Sequence, residues 1–365
     1  MRVRVKTHFR SVAELGDSCW LDQFADPYKL IERSTWRVRT FQRNPYLKDT
    51  HHPAQMIGVV DGKAMGYIGP FPLHVFADGR IYEAEAGDDL FVHPDYRKSG
   101  YALDIMETLN NLSCDHLSIN TGLSDMAQRL CQLLGQTNFT VLKFAYIKRC
   151  GHLFDAVLPK SARMVICPCL NVAFWCHRQL LGVLLSLKIR GLLMKEISSE
   201  DDALLSAASE LIKADSRRFR QDIDERWLKW VLENDFSDDP KIVKKMYGIF
   251  RKGTLIGFAL VRTSIRSGRC RILEWQFDKA SSAKEPWLLI WIAKQLIRSA
   301  NFVAIAVGAE DKPLVDVLSN LLPQTKRQMV SIGLGEGSPL QKHQGYDDPR
   351  NWRLRPGMGD SCFYG

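Results

Sequence analysis

At 365 residues the chain exceeds what a single hydrophobic core usually serves, so two domains are expected. Hydrophobic residues at 45% and charged residues at 25% are the balance of an ordinary globular protein and exclude compositional extremes. The net charge of +9 and isoelectric point near 9.0 favour acidic partners, whether a phosphorylated small molecule, nucleic acid or an anionic membrane surface, without choosing among them.

In chain order, the basic stretch Met1–Lys6 has no apolar signal core behind it, so no export is expected. The nine cysteines are then expected as reduced thiols in a cytoplasmic protein. Val12 to Phe24 reads as a short helix, and Tyr28–Arg33 with Trp36 as an amphipathic one. His51-His52-Pro53 reads as a loop, because adjacent histidines point apart and lack the i, i+4 spacing of helical metal ligands. A hairpin follows, Gln55–Val60 and Ala64–Gly69 about the turn Asp61-Gly62-Lys63.

Next comes a strand carrying Glu83, Glu85, Asp88 and Asp89. It ends in the buried run Leu90-Phe91-Val92 and is stopped by Pro94. A turn bears Arg97, Lys98 and Gly100, and a helix follows with apolar residues at Leu103, Ile105, Met106 and Leu109. Gly100 lets the backbone approach a ligand, and the first helical turn offers unpaired N–H groups at the positive end of the dipole. The expected guest is a phosphate or pyrophosphate. A strand at His116–Asn120 and a helix at Met126–Leu134, closed by Gly135, complete this part.

The run Arg97-Lys98-Ser99-Gly100-Tyr101-Ala102 resembles the R/Q-x-x-G-x-G/A signature of the GNAT (GCN5-related) N-acyltransferases, and Val92-His93-Pro94-Asp95-Tyr96-Arg97 is similar to the context before it. The order hairpin, strand, phosphate turn, helix, strand, helix resembles that fold over roughly residues 36–150. The resemblance implies a mixed α/β sheet and acetyl-CoA, or another acyl-CoA, as cosubstrate. The N–H groups of Lys98, Ser99, Gly100, Tyr101 and Ala102, with the side chains of Arg97 and Lys98, would hold the pyrophosphate. The exposed main chain at Phe91 and Val92 would hold the pantetheine arm.

Acyl transfer to an amine needs a base for the ammonium and an acid for the leaving thiolate. Strand alternation puts Glu83, Glu85 and Asp89 on one face, provided Gly87 introduces no bulge, and Glu85 and Asp89 are the candidate bases. The alternative is that these carboxylates only solvate an exposed strand. In the family the acid is often a tyrosine in an Ala-x-x-Leu-Tyr pattern; aligning Ala127 and Leu130 puts Cys131 there, a departure that leaves Tyr96, Tyr101 or a purely structural thiol as alternatives. No metal is expected.

Residues 151–197 form a connecting segment. Met164–Leu170 reads as strand-like, and residues 180–195 as an apolar helix with interspersed cations, suited either to packing between domains or to peripheral contact with an anionic membrane. Cys150, His152, Cys167, Cys169, Cys176 and His177 lack the paired C-x-x-C spacing of a zinc site. From Ser198 the order begins again. Helical stretches run to Leu232, a hairpin joins Lys245–Phe250 to Leu255–Arg262, and then come strand 270–277, helix 287–299, strand 302–307 and helix 314–322. Where the phosphate turn should recur stands Asp278–Lys284, without glycine. The expectation is two GNAT-like lobes in tandem: 1–150 with the acetyl-CoA turn, the connector 151–197, and 198–365 without the turn but with a glycine- and aromatic-rich tail that closes a site or caps an edge.

The implied activity is transfer of an acetyl or other acyl group from its CoA thioester to a primary amine, on an amino sugar or other small molecule. Two rivals remain at this stage. One is an aminoacyltransferase of the Fem kind using aminoacyl-tRNA; for an acyl-CoA enzyme no nucleic-acid partner is expected. The other is a non-catalytic module binding polyanions or membrane.

Overall fold

The computed structural model describes residues 5–16, 25, 40–121, 124–149, 159–234 and 239–355. The elements in chain order are β1 (Lys6–Ser11), β2 (Pro53–Val60), β3 (Lys63–Ala77), β4 (Arg80–Val92), α1 (Tyr101–Asn110), β5 (Leu117–Thr121), α2 (Asp125–Leu133) and β6 (Thr137–Ile147). Then follow α3 (Lys160–Lys188), β7 (Leu192–Ile197), α4 (Asp202–Lys213), β8 (Phe219–Gln221), α5 (Glu225–Glu233), β9 (Ile242–Arg251) and β10 (Thr254–Ser264). The last are β11 (Arg269–Phe277), α6 (Glu285–Leu296), β12 (Phe302–Gly308), α7 (Lys312–Leu321) and β13 (Gln324–Leu334).

The compact units do not follow the expected boundaries at 150 and 197. One comprises Met1–Thr140, Ser216–Asp238 and Gln328–Gly365; the other comprises Val141–Asp215 and Asp239–Arg327. The reason is strand pairing. β13, from the far end of the sequence, pairs antiparallel with β5 through Val330↔Thr121 to Leu334↔Leu117 and so finishes the first unit's sheet. β6, from the first half, pairs antiparallel with β12 through Phe302↔Ile147 to Gly308↔Val141 and finishes the second's.

In the first unit the neighbours run β1-β2-β3-β4-β5-β13, with β8 against the far half of β3. The expected hairpin turn at Asp61-Gly62 has φ of 49° and 73°, and a second at Asp78-Gly79 has 46° and 86°. Two successive positive values belong to the turn whose twist matches antiparallel strands. One face packs Met56, Ile68, Ile105, Met106, Leu109 and Cys131 into a core. The ring of Tyr101 lies in it over Gly58, where an added Cβ would collide with the ring at Tyr101 Cζ. On another part of the sheet Phe71 meets Phe41 and Trp230, with centroids 5.2 and 5.4 Å apart.

A buried polar network ties β13 to β5. Gln136 Nε2 donates to Asn110 Oδ1 at 3.0 Å, Ser331 Oγ to Gln136 Oε1 at 2.7 Å, and Ser118 Oγ to Asn110 Oδ1 at 2.6 Å. Gln136→Leu strands the Ser331 hydroxyl and one Asn120 donor, so it is expected to cost about 2–4 kcal/mol. Urea denaturation measures this, and a change below about 0.5 kcal/mol would mean the network is dispensable.

The second unit's neighbours run β7-β9-β10-β11-β12-β6. Its core gathers Trp275, Leu288, Leu289, Ile292, Ile305 and Leu318. The hairpin turn expected at Lys252-Gly253 is present, with φ of 51° and 85°. So is the order hairpin, strand, helix, strand, helix of β9 to α7.

Several expectations are corrected. Met164–Leu170 is not a strand but part of α3, a 29-residue helix that contains Pro168. A short apolar run is ambiguous between strand and helix; here burial recurs at Leu181, Leu185 and Ile189, a helical spacing, and Pro168 removes one hydrogen bond without ending the helix. In the stretch expected as a helix from Val12, only Ala13–Gly16 is helical, as one 3-10 turn; residues 17–24, and the amphipathic helix expected over Tyr28–Trp36, lie outside the described residues. The tail expected from Gly333 yields its first two residues to β13, and residues 356–365 lie outside the described ones.

Candidate functional site

The turn expected between β4 and α1 is present. β4 ends at Val92, Pro94–Tyr96 form a 3-10 turn, and Gly100 enters α1 with φ of 87°, a left-handed conformation that side-chain-bearing residues rarely adopt. The turn is braced from within: Arg97 Nε donates to Val92 O at 3.2 Å, Ser99 N to Tyr96 O at 2.9 Å, and Tyr101 N to Ser99 Oγ at 3.2 Å. Arg97 and Lys98 are exposed. Among the described residues, the N–H groups of Lys98, Gly100 and Ala102 have no protein acceptor, which is the arrangement an anion needs.

On the way to this turn β4 leaves its neighbour. Its parallel pairing with β5 consists of Glu85↔Ser118 and Ala86↔Ile119. Toward β3 the register slips, Gly69 facing Asp88 and Tyr67 facing Phe91, so β4 carries one extra residue there. Among the described residues, Gly87–Val92 have no pairing with β5. The side chains of Asp88 and Asp89 lie outside the described residues.

Below this opening is a cavity of about 280 Å³. β4 contributes Glu83 and Glu85, β3 contributes His74, and the loop before β2 contributes Tyr46, Lys48 and His52. Glu85 is the centre of it. Its side chain is 2% exposed, Oε1 lies 3.2 Å from His52 Nε2 but out of line for a hydrogen bond, and Oε2 has no hydrogen-bond partner. Burial, foremost, pushes the Glu85 carboxyl above the usual carboxylate range, against the pull of His52. For His52, burial acts downward but the adjacent carboxylate outweighs it, and the ring ends above its ordinary value. At the cavity mouth Lys48 is ion-paired with Glu83, whose own N–H donates to Asp115 Oδ2 at 2.7 Å. Tyr46 lies tilted against His74, ring centroids 4.2 Å apart, and donates its hydroxyl to Asp222 O at 2.6 Å.

The structure thus brings Glu83, Glu85 and His52 together and sets the 97–102 turn at the end of the same strand. His52 was not legible as a site residue, since only tertiary folding turns it rather than His51 against Glu85. Cys131 is apart from them, fully buried in the core beside Tyr101 and Met106, with burial raising its thiol above the ordinary range. Burial likewise raises the Tyr101 hydroxyl, which has no hydrogen-bond partner. Among the described residues no three His, Cys, Asp or Glu side chains form a metal-binding group, and no helix is long and apolar enough to cross a membrane.

The tail is anchored to the β3–β4 turn. Arg218 grips Asp78 with two bonds of 2.7 and 2.6 Å, His343 Nδ1 lies 2.8 Å from Asp78, and Tyr82 Oη lies 2.8 Å from His343 Nε2. The Arg218 guanidinium, first, and His343 hold the Asp78 carboxyl down to about 2. A depressed carboxyl contributes stability that is full above its unfolded pKa and lost as pH falls through the folded one. Asp78→Asn is therefore expected to lower stability at neutral pH and to flatten its decline between pH ~4 and ~2, read by thermal melts across that range. Parallel declines in variant and wild type would remove Asp78 from the acid response.

No protein-family model matches the chain. No curated protein matches it either. Solved structures do: a GCN5-related N-acetyltransferase from Anabaena variabilis superposes with a TM-score of 0.54 at 12% identity, over 90% of this chain and 72% of that one. A probable N-acyltransferase from Enterococcus faecalis gives 0.53 at 14%, over 90% and 72%. The Saccharomyces cerevisiae N-myristoyltransferase with bound myristoyl-CoA gives 0.55 at 12%, over 92% and 80%. At such identity the likeness is one of fold: the chain has the mixed α/β fold of the GCN5-related N-acetyltransferases and N-myristoyltransferases, as the Arg97–Ala102 signature implied.

Proposed function

We propose that this protein is an acyl-CoA-dependent N-acyltransferase whose donor site is the Arg97–Ala102 turn and whose acceptor site is the cavity at Glu85. The observation that carries the reading is one strand, β4, which bears a buried carboxylate with an unpartnered oxygen, has no β5 pairing beyond Ala86 among the described residues, and ends in a turn with unpaired N–H groups at a helix start. Pyrophosphate bound by the free N–H groups of Lys98, Gly100 and Ala102, beside Arg97 and Lys98, sends the pantetheine arm back along the unpaired edge of β4 at Phe91 and Val92. At ~3.3 Å per residue, Val92 and Glu85 are about 23 Å apart along the strand, so the acyl end travels toward the cavity.

There Glu85, backed by His52, takes a proton from the acceptor ammonium. The free amine attacks the thioester carbonyl, and the tetrahedral adduct collapses to amide with the sulfur leaving as the thiol of CoA. Water or the acceptor itself supplies the thiol's proton in this scheme, because Cys131 and the Tyr101 hydroxyl are closed into the core. Acetyl-CoA is the first donor to test, and longer acyl chains follow from the same pyrophosphate site. A primary amine, as on an amino sugar, is the acceptor. The recurrence of the β2–α2 element order in β9–α7 supports the reading of two lobes in tandem, of which the second lacks the glycine turn.

Calorimetric titration of acetyl-CoA into the full chain tests the donor site, with release of free CoA upon adding amines as the test of turnover. Micromolar binding that an Arg97→Ala, Gly100→Trp variant loses supports the assignment. A folded wild type that binds no CoA thioester overturns it and returns the aminoacyl-tRNA and polyanion readings.

A further inference from the structure

The second unit carries a surface that acyl transfer does not use. α3 turns Leu181, Leu185 and Ile189 into the core, yet its opposite face is apolar as well. Val165, Val172, Cys176, Leu180, Val183 and Leu187 recur at steps of seven, four, four, three and four, which keeps them on one side of a helix. Val165, Val172, Leu180, Val183 and Leu187 are each 59–71% exposed, and Trp175 at the edge is 54% exposed. At ~1.5 Å per residue the stripe is about 33 Å long. Scattered exposed aliphatics are normal; a continuous exposed stripe along one helix marks an interaction surface.

Charge says what covers it. From Lys160 to Lys195 the sequence holds six lysines and arginines and neither aspartate nor glutamate. Lys160, Lys188 and Arg190 are exposed, and Lys294 of the adjoining α6 sits against Gly182 of α3. An apolar stripe on a segment whose charged residues are all cations complements an anionic lipid surface, with aliphatic side chains entering the acyl boundary and the exposed cations meeting headgroups. A second copy of the same helix would set these like charges against each other. We propose that α3 is a peripheral membrane-binding element that lies flat on anionic lipid, with Val165 to Leu187 as its inserted face. This surface is independent of the acyltransferase reading.

Co-sedimentation of the full chain with vesicles of phosphatidylcholine alone, and of phosphatidylcholine with phosphatidylglycerol, tests it. The anionic vesicles are expected to take up the protein and the neutral ones to leave it in solution, with uptake falling as salt rises. Leu180→Glu, Val183→Glu is expected to weaken uptake by roughly tenfold or more per side chain, with an unchanged circular dichroism spectrum. Should that variant melt early, Lys160→Glu, Arg190→Glu serves instead, because neither position is in the core, and the same loss is expected. A fluorescence blue shift on anionic vesicles that Trp175→Phe abolishes places the helix at the lipid. No uptake by anionic vesicles, equal uptake by neutral ones, or undiminished uptake by both variants overturns the proposal. So does a wild-type dimer that Leu180→Glu, Val183→Glu dissociates, since the occupant would then be a second copy.

Discussion

Glu85→Gln is expected to lower the rate of acyl transfer by about 10²–10⁴-fold while leaving the affinity for acyl-CoA unchanged. The glutamine fills the same buried site but accepts no proton, and the anion turn at the far end of β4 is untouched. In the wild type the rate rises with pH through the raised pKa of Glu85, and the variant loses that limb. The stability test runs the other way. A carboxyl whose folded pKa lies above its unfolded value favours folding while protonated, and that contribution is lost as pH rises through the folded value. The variant, free of an unpartnered buried carboxylate, is therefore expected to melt higher than the wild type, with the gap widening as pH rises through that range. A structural carboxylate would give the reverse, a variant of full rate and lower melting temperature, and that result would remove Glu85 as the base.

Gly100→Val is expected to weaken acyl-CoA binding by about 100-fold or more, with the chain still folded. At φ of 87° a β-branched side chain is strained by about 1–2 kcal/mol. Relief of that strain reorients the N–H groups of Gly100 and Ala102, two of those without a protein acceptor among the described residues. Arg97→Ala removes one exposed charge-assisted contact and is expected to cost about tenfold, or more where its bond to Val92 O also holds the turn in shape. Calorimetry with acetyl-CoA and with free CoA measures both, and free CoA binds as the thioester does if the pyrophosphate dominates. Wild-type affinity in the valine variant would mean that CoA is held elsewhere.

The parts that the sequence alone determined are those in which a residue acts on its own backbone or its immediate neighbours. Asp61-Gly62 and Lys252-Gly253 are hairpin turns because successive residues there take positive φ, and Pro94 stops β4 because it lacks a donor. The Arg97–Ala102 turn belongs with them, since a glycine and a helix start are local facts. Tertiary structure decided what depends on partners distant in the chain. β13 beside β5 and β6 beside β12 join residues about 200 or 150 positions apart, and nothing in an alternating apolar strand names its neighbour. That exchange is why contiguous domain boundaries fail. Met164–Leu170 went to a helix as the first turns of α3, whose buried stripe lies further along at Leu181, Leu185 and Ile189; the run itself holds no buried residue, and its apolar pattern fits both periods. Glu85 was legible as a carboxylate on β4, but its raised pKa comes from burial, and its neighbour His52 stands 33 positions earlier; both exist only once the loop before β2 has folded over the sheet.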